Sequence, residues 1–341
     1  MTRAAGERLR RALRRPAATG ARGLLWLGMQ ARAAAAFSHA GRDLVRARHA
    51  GQQTLTPGSK AAVFAHFDPD GQVHDYVLHH LAALGRAGFA VVFVSNAPRL
   101  GTAALERLQP HVALVLHRRN LGYDFAAYRD GLAALGGVTR FAEVLLANDS
   151  VYGPLFDLAP LLRRCDERAD VWGITDSREH GFHLQSYFLL FRAAALAHPG
   201  FAAFWRSVRP VQSRQWVIRH YEIGLTRTLR QAGLRCAALF PCDAVISSRL
   251  AAPGPPLDDR WRAAIAAGRP INVMHVGWDH LISALGCPFI KRELLMYNPL
   301  KLPHTDRWSE VIRQSSGYDT ALIAGHLHTR RRRGPADRMD A

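Results

Sequence analysis

Cysteine is scarce and unpatterned: Cys165, Cys236, Cys242 and Cys287 form no Cys-x-x-Cys pair, which argues against a zinc ribbon or a disulfide scaffold and leaves reduced, mostly buried thiols. Neither Gly-x-Gly-x-x-Gly nor Gly-x-x-x-x-Gly-Lys occurs, so the fingerprints of dinucleotide folds and P-loop enzymes are missing. The 17 histidines include no His-Glu-x-x-His. No apolar run reaches the ~18–20 residues of a membrane span. The one apolar stretch near the start, Leu24 to Met29, is short and lies behind many arginines, unlike a secretory signal. A cytoplasmic protein is therefore expected.

What is present is a 341-residue chain, 48% hydrophobic and 21% charged, long enough for one large domain or two small ones. Its net charge of +18 is concentrated at the ends: residues 1–60 hold twelve Arg/Lys against two acids, and residues 326–341 hold five against two. That placement argues against nucleic-acid binding by the core and for basic arms meeting an anionic surface, such as the inner face of the plasma membrane. Residues 3–15 and 22–50 read as basic helices, either lying in a membrane interface or forming a solvated leader. Residues 1–59 are thus expected to be a helical or partly disordered extension, 60–328 the folded domain, and 329–341 a basic disordered tail.

From Lys60 onward, apolar runs of strand length alternate with helical periodicity. Strands are expected at 61–67, 90–94, 112–116 and 144–147, with helices at 74–88, around Leu105 and at 125–135. Further strands are expected at 171–175, 186–191 and 271–275, and helices at 193–208, 221–233 and 320–327. This order predicts an α/β fold with a largely parallel sheet covered by helices on both faces.

Ligands in such sheets bind beyond the carboxyl ends of the strands. Three acid-bearing turns fall there: Asp68-Pro69-Asp70-Gly71, Gly122-Tyr123-Asp124 and Asn148-Asp149-Ser150. Oxygen ligands on one rim suit Mg²⁺ or Mn²⁺ holding a diphosphate, and Arg118 and Arg119 sit close enough to grip phosphate. His183-Leu184-Gln185-Ser186-Tyr187 suits a polar acceptor, with His183, Gln185 and Ser186 as its contacts. Glu222 reads either as a carboxylate favouring a helix N-terminus or as a general base for a sugar hydroxyl. His275 is expected to end a strand and to complete a metal site with Asp149. A looser resemblance, of Asp68, Asp70, Ser95 and Asp149 to haloacid-dehalogenase-like phosphatases, makes Asp68 a candidate nucleophile; Gly71 and the lack of the expected lysine depart from that pattern. A catalytically silent binding module for glycan machinery is a third reading.

Several phrases, in order, resemble the rhamnan synthesis F family of bacterial polysaccharide-assembly glycosyltransferases. They are Ala65-His66-Phe67-Asp68, Phe93-Val94-Ser95-Asn96, Arg119-Asn120-Leu121-Gly122-Tyr123-Asp124-Phe125 and Ala147-Asn148-Asp149-Ser150-Val151-Tyr152-Gly153-Pro154. Trp172-Gly173-Ile174-Thr175-Asp176, His183 to Phe188 and Pro288-Phe289-Ile290-Lys291-Arg292-Glu293-Leu294 continue the series, and the resemblance covers roughly residues 61–328. It implies a GT-A-like (Rossmann-related) transferase, with Asn148-Asp149-Ser150 where such folds carry an Asp-x-Asp metal motif. It further implies a dTDP- or GDP-rhamnose donor and a glycan or lipid-linked acceptor. On this reading Asp149 and Glu222 are catalytic, while Asp68, Arg119, Asn120, Gly122, Tyr123, Asp124, Asn148 and Ser150 bind the donor. With one acid in place of two, Asp149 either shares a cation with Asp124, Asp68 or His275, or works without metal.

Overall fold

The computed structural model describes residues 43–252 and 257–331, together with Gly28. The expected helix at 3–15, most of the one at 22–50 and the tail beyond residue 331 lie outside the described residues. The strands are β1 (Val45–Ala50), β2 (Lys60–His66), β3 (Phe89–Ser95), β4 (Leu114–Arg118), β5 (Glu143–Asn148) and β6 (Val151–Tyr152), followed by β7 (Val171–Ser177), β8 (His183–Leu184), β9 (Phe188–Arg192), β10 (Cys236–Phe240) and β11 (Ile290–Lys291). The main sheet has the order β1-β4-β3-β2-β5-β9-β7-β10, with β8 added to the end of β7, and β6 pairs with β11 in a small second sheet. Neighbours β2, β3, β4 and β5 are parallel, as are β7 and β10. Strand β9 is antiparallel to both β5 and β7, and β1 to β4. The mixed α/β architecture with a mostly parallel sheet is the one that the alternation of elements predicts.

The central strands form because they are apolar on both faces. Ala62 and Phe64 of β2 point into one core with Tyr76, Leu84 and Phe93, while Ala61, Val63 and Ala65 point into the other with Val92, Phe125 and Leu146. Burying a side chain the size of Val63 or Phe64 is worth roughly 1.5–3 kcal/mol, so a register slip would be costly on either face. The helix Tyr123–Ala134 crosses β2 so closely that a Cβ on Gly131 would lie 2.2 Å from Val63 Cγ1. That approach fixes the height of the helix and hence of Asp124 in its first turn.

Three expectations are corrected. The strand β1, with Arg46, Arg48 and Ala50 outward, occupies the end of the supposed basic helix 22–50, so the sheet begins before Lys60. Residues 271–275 are not a strand: Asn272 Oδ1 accepts the Met274 N–H, and a short helix runs over Val273–Val276. The supposed tail from 329 begins inside the helix Ala321–Arg331, whose Arg330 reaches back to Asp68.

Candidate active site

The chain runs outward from β2 through β3 to β4 and then returns to place β5 on the other side of β2. A reversal of strand order of this kind opens a crevice at the strand ends. There the Asp149 N–H donates to Ala65 O at 3.2 Å and the Phe67 N–H donates to Asp149 Oδ2 at 3.3 Å, stitching the two strand ends together. Arg292 Nη1 donates to the same Oδ2 at 2.9 Å and to the Tyr76 hydroxyl at 2.7 Å. The arginine is brought there by β11, where Lys291 pairs with Val151 and the Arg292 N–H donates to Ser150 O.

One residue back, the Asn148 side chain turns the other way. Its Nδ2 donates to Asp124 Oδ2 at 2.9 Å, and its Oδ1 accepts from the Ser150 N–H and hydroxyl at 3.1 and 2.6 Å. Asp124 is thereby held beside a second carboxylate, Glu222, whose Oε1 accepts both the N–H and the hydroxyl of Ser186 at 2.8 Å each. Burial, then the negative charges of Asp149 and Glu222, push the Asp124 carboxyl up to about 7; Arg292 and Lys291 offset them only in part. Glu222 does not open a helix as the sequence suggested. It ends a π-helical turn, Val217–Glu222, inside a helical run that continues through Gln231, so its contact with Ser186, not a helix terminus, explains its position.

The remaining candidates divide. Gly122 takes φ +83°, donates its N–H to Gln212 Oε1 at 3.0 Å, and has no room for a Cβ, which would lie 2.5 Å from Pro210 Cα. Tyr123 follows it with φ 52°; the two form the left-handed turn that aims Asp124 at Asn148. Arg119 and Asn120 are exposed, and no side-chain bond joins either to the carboxylates among the described residues. Arg118 is no phosphate grip: it is fully buried and donates to Asp130, Asn96 and Leu121 O. His183 and Gln185 are buried, His183 Nδ1 lying 2.9 Å from Gly181 O and Gln185 Oε1 accepting from Thr175 Oγ1 at 2.6 Å. Of the three supposed acceptor contacts, only Ser186 joins the carboxylate cluster.

Among the described residues the donor set forms no ready cage for a divalent cation, and Asp124, the partner expected to share one with Asp149, has its Oδ2 taken by Asn148. Asp149 already answers to Arg292, Glu222 Oε1 to Ser186, and Asp68 to two amides, His74 and Arg330. His275 has Lys291, Glu293 and Arg214 as charged neighbours, not Asp149, and burial lowers its ring to about 4 ahead of the repulsion from Lys291. Among the described residues no group of three or more His, Cys, Asp or Glu side chains is arranged to hold a metal ion.

Asp68, 2% exposed, accepts the N–H groups of Asp70 and Gln72 on Oδ1 at 2.9 Å each and faces His74 Nε2 and Arg330 Nη2 on Oδ2 at 3.4 and 3.2 Å. Burial raises its pKa, but bonds from His74 and the Gln72 amide and the charge of Arg330 outweigh this and leave it at about 2, below the usual 3.8. With the folded value depressed, the stabilisation is complete above about pH 4 and is lost as pH falls toward 2. Asp68→Asn is therefore expected to cost about 2 kcal/mol at pH 7 and almost nothing near pH 2, as urea unfolding at the two pH values would show. Equal cost at both would contradict this assignment. With both oxygens engaged, Asp68 is poorly placed to act as a phosphohydrolase nucleophile.

Residues that sequence reasoning left without a role complete the rim: Lys291, Arg292, Tyr76 and the C-terminal His326 and Arg330. Tyr152 OH and His326 Nδ1 lie 2.7 Å apart, and His326 packs its ring edge-on against His74. The available signal was the cation pair Lys291-Arg292 directly after the apolar Phe289-Ile290.

Residues 91–258 match the model of the family described as Rhamnan synthesis protein F. The chain is 32% identical over 206 residues to the uncharacterized protein y4gN of Sinorhizobium fredii, a match covering 57% of this chain and 53% of that protein. It is 27% identical over 271 residues to Virulence protein VirA of Vibrio anguillarum, covering 76% and 87%. The chain thus spans about half the length of the first of these relatives. Among solved structures, a distant likeness is to the mannosyltransferase PcManGT from Pyrobaculum calidifontis in complex with GDP-Man and Mn²⁺, at 10% identity and TM-score 0.34 over 90% of this chain and 87% of that one.

Proposed function

We propose that the protein is a glycosyltransferase that moves a sugar from a nucleotide-diphosphate donor to a hydroxyl of a glycan or lipid-linked acceptor, on a GT-A-like sheet. One observation carries the reading: Asp124, Asn148, Asp149, Ser186 and Glu222 converge at the strand-reversal crevice, and the Asp124 carboxyl is pushed up to about 7. A carboxylate with that value is matched to accept a proton near neutral pH. The match to Rhamnan synthesis protein F supports polysaccharide assembly as the setting and L-rhamnose as the sugar, and a dTDP or GDP carrier is part of the same proposal. Peripheral contact of the basic N-terminal arm with the cytoplasmic membrane face goes with a lipid-linked acceptor. None of the helices among the described residues is long and apolar enough to cross a membrane.

In the proposed reaction the acceptor hydroxyl attacks the anomeric carbon, its proton passes to Asp124, and the bond from that carbon to the diphosphate oxygen breaks with the electron pair leaving on the diphosphate. Glu222, fixed by Ser186, orients the acceptor and keeps the Asp124 carboxyl basic through its charge. Glu222→Gln removes that charge, so the rising limb of the pH–rate profile is expected to move to lower pH, with a rate loss of roughly tenfold, small beside that for losing a general base. A loss of ~10²–10⁴-fold with the limb abolished would instead make Glu222 the base. Release of nucleoside diphosphate from a panel of dTDP-, GDP- and UDP-sugars, with acceptor present, is the assay; no release from any of them would sink the proposal.

A further inference from the structure

The donor set at the crevice leaves a diphosphate without a metal partner, yet two cations, Lys291 and Arg292, stand beside it with donors that no group among the described residues uses. Lys291 is one of three lysines in a chain whose other 42 cationic side chains are arginines. Its ammonium lies 4.3 Å from the centroid of the Tyr187 ring and makes no hydrogen bond or ion pair among the described residues. Arg292 makes its two side-chain bonds, to Tyr76 and Asp149, through Nη1 alone. No bond is made by its Nη2 or Nε among the described residues, and the side chain is 15% exposed. Lys291 ends β11 and Arg292 opens the helix Arg292–Tyr297 that follows it, and β11 is paired with β6 immediately after Asn148-Asp149-Ser150. Two adjacent cations, one a compact point charge and the other a fork with two open donors, are thus fixed where the strand order reverses.

We propose that Lys291 and Arg292 receive the diphosphate of the leaving nucleotide in place of a divalent cation. The inference rests on the transferase reading. As the sugar–oxygen bond breaks, the charge that develops on the diphosphate oxygen is met by the Lys291 ammonium and by the free edge of the Arg292 guanidinium. Asp149 positions that guanidinium through Nη1. This accounts for an acid of the Asp-x-Asp position bound to an arginine rather than left free for a metal. Burial lowers the Lys291 ammonium from its ordinary range, while Glu222, Glu293 and Asp124 pull it back up, so an incoming diphosphate would strengthen its charged form.

The test is isothermal titration of the full chain, in EDTA, with dTDP, GDP and UDP and with their monophosphates. Wild type is expected to bind one of the diphosphates at least tenfold more tightly than the matching monophosphate. Lys291→Met should lose that preference, and Lys291→Arg should keep part of it, which also covers the case that the Met variant folds poorly. Equal preference in wild type and Lys291→Met overturns the role of Lys291. Diphosphate binding that appears only when Mn²⁺ replaces EDTA overturns the metal-free arrangement. Either result leaves the transferase reading standing, whereas no nucleotide binding with or without Mn²⁺ removes that reading and this inference together.

Discussion

Asp124→Asn is expected to lower sugar transfer by ~10²–10⁴-fold, the usual contribution of a positioned general base, while making the folded chain more stable at neutral pH. The two effects have one origin. Burial and the neighbouring Asp149 and Glu222 hold the carboxyl at about 7 against 3.8 for an ordinary aspartic acid. Below about pH 4 the folded and unfolded chains both carry the proton. Between about 4 and 7 the unfolded chain releases it and the folded chain does not, so stability falls with rising pH by a few kcal/mol and then levels off. The Asp124→Asn chain has no proton to lose at this position, and its amide can still accept from Asn148. Its urea midpoint should therefore exceed that of wild type at pH 8 and converge with it near pH 4. The wild-type rate should rise to a plateau above about pH 7, and the variant's residual rate should lack that limb. A variant with normal turnover, or one less stable at pH 8, would rule out Asp124 as the general base.

Asp149→Ala should have the largest effect on stability. The carboxylate and its partner Arg292 are 7% and 15% exposed and 2.9 Å apart. Removing one member of such a pair strands the other charge, at a cost of ~3–5 kcal/mol. Replacing both, as Asp149→Ala with Arg292→Met, should cost less than Asp149→Ala alone, because no uncompensated charge remains. Urea unfolding of the two single variants and the double variant would measure this. Additive losses would show that the two side chains do not work as a pair. A mild loss in Asp149→Ala with activity abolished would mean that Asp149 acts on the ligand directly rather than through Arg292.

Most of the sheet was legible because its central strands are buried on both faces and read as unbroken apolar runs. The edge was not. In β1, outward Arg46 and Arg48 alternate with half-buried neighbours, and next to an arginine-rich leader that alternation passes for one side of a basic helix. Residues 271–275 show the converse: Ile271 and Val273 alternate as in a strand, but the Asn272 cap sets a helical turn that packs Met274 and His275 inward. At the site, the acid-bearing turns stood out because a turn at a strand end is a local feature. Their partners did not. Arg292 meets Asp149 across 143 residues and Arg330 meets Asp68 across 262, and no local pattern encodes such pairings. The raised value at Asp124 likewise depends on burial and on Asp149 and Glu222 arriving from two separate segments, with Arg292 and Lys291 offsetting them from a third.

The most direct measurement is product analysis by mass spectrometry after incubating the full chain with dTDP- or GDP-rhamnose and a rhamnose-bearing oligosaccharide. Growth of the oligosaccharide by one sugar, with one nucleoside diphosphate released per sugar added and both lost in Asp124→Asn, is the predicted result. An unchanged oligosaccharide with every nucleotide sugar tried, alongside phosphate release from a generic phosphoester that disappears in Asp68→Asn, would contradict it.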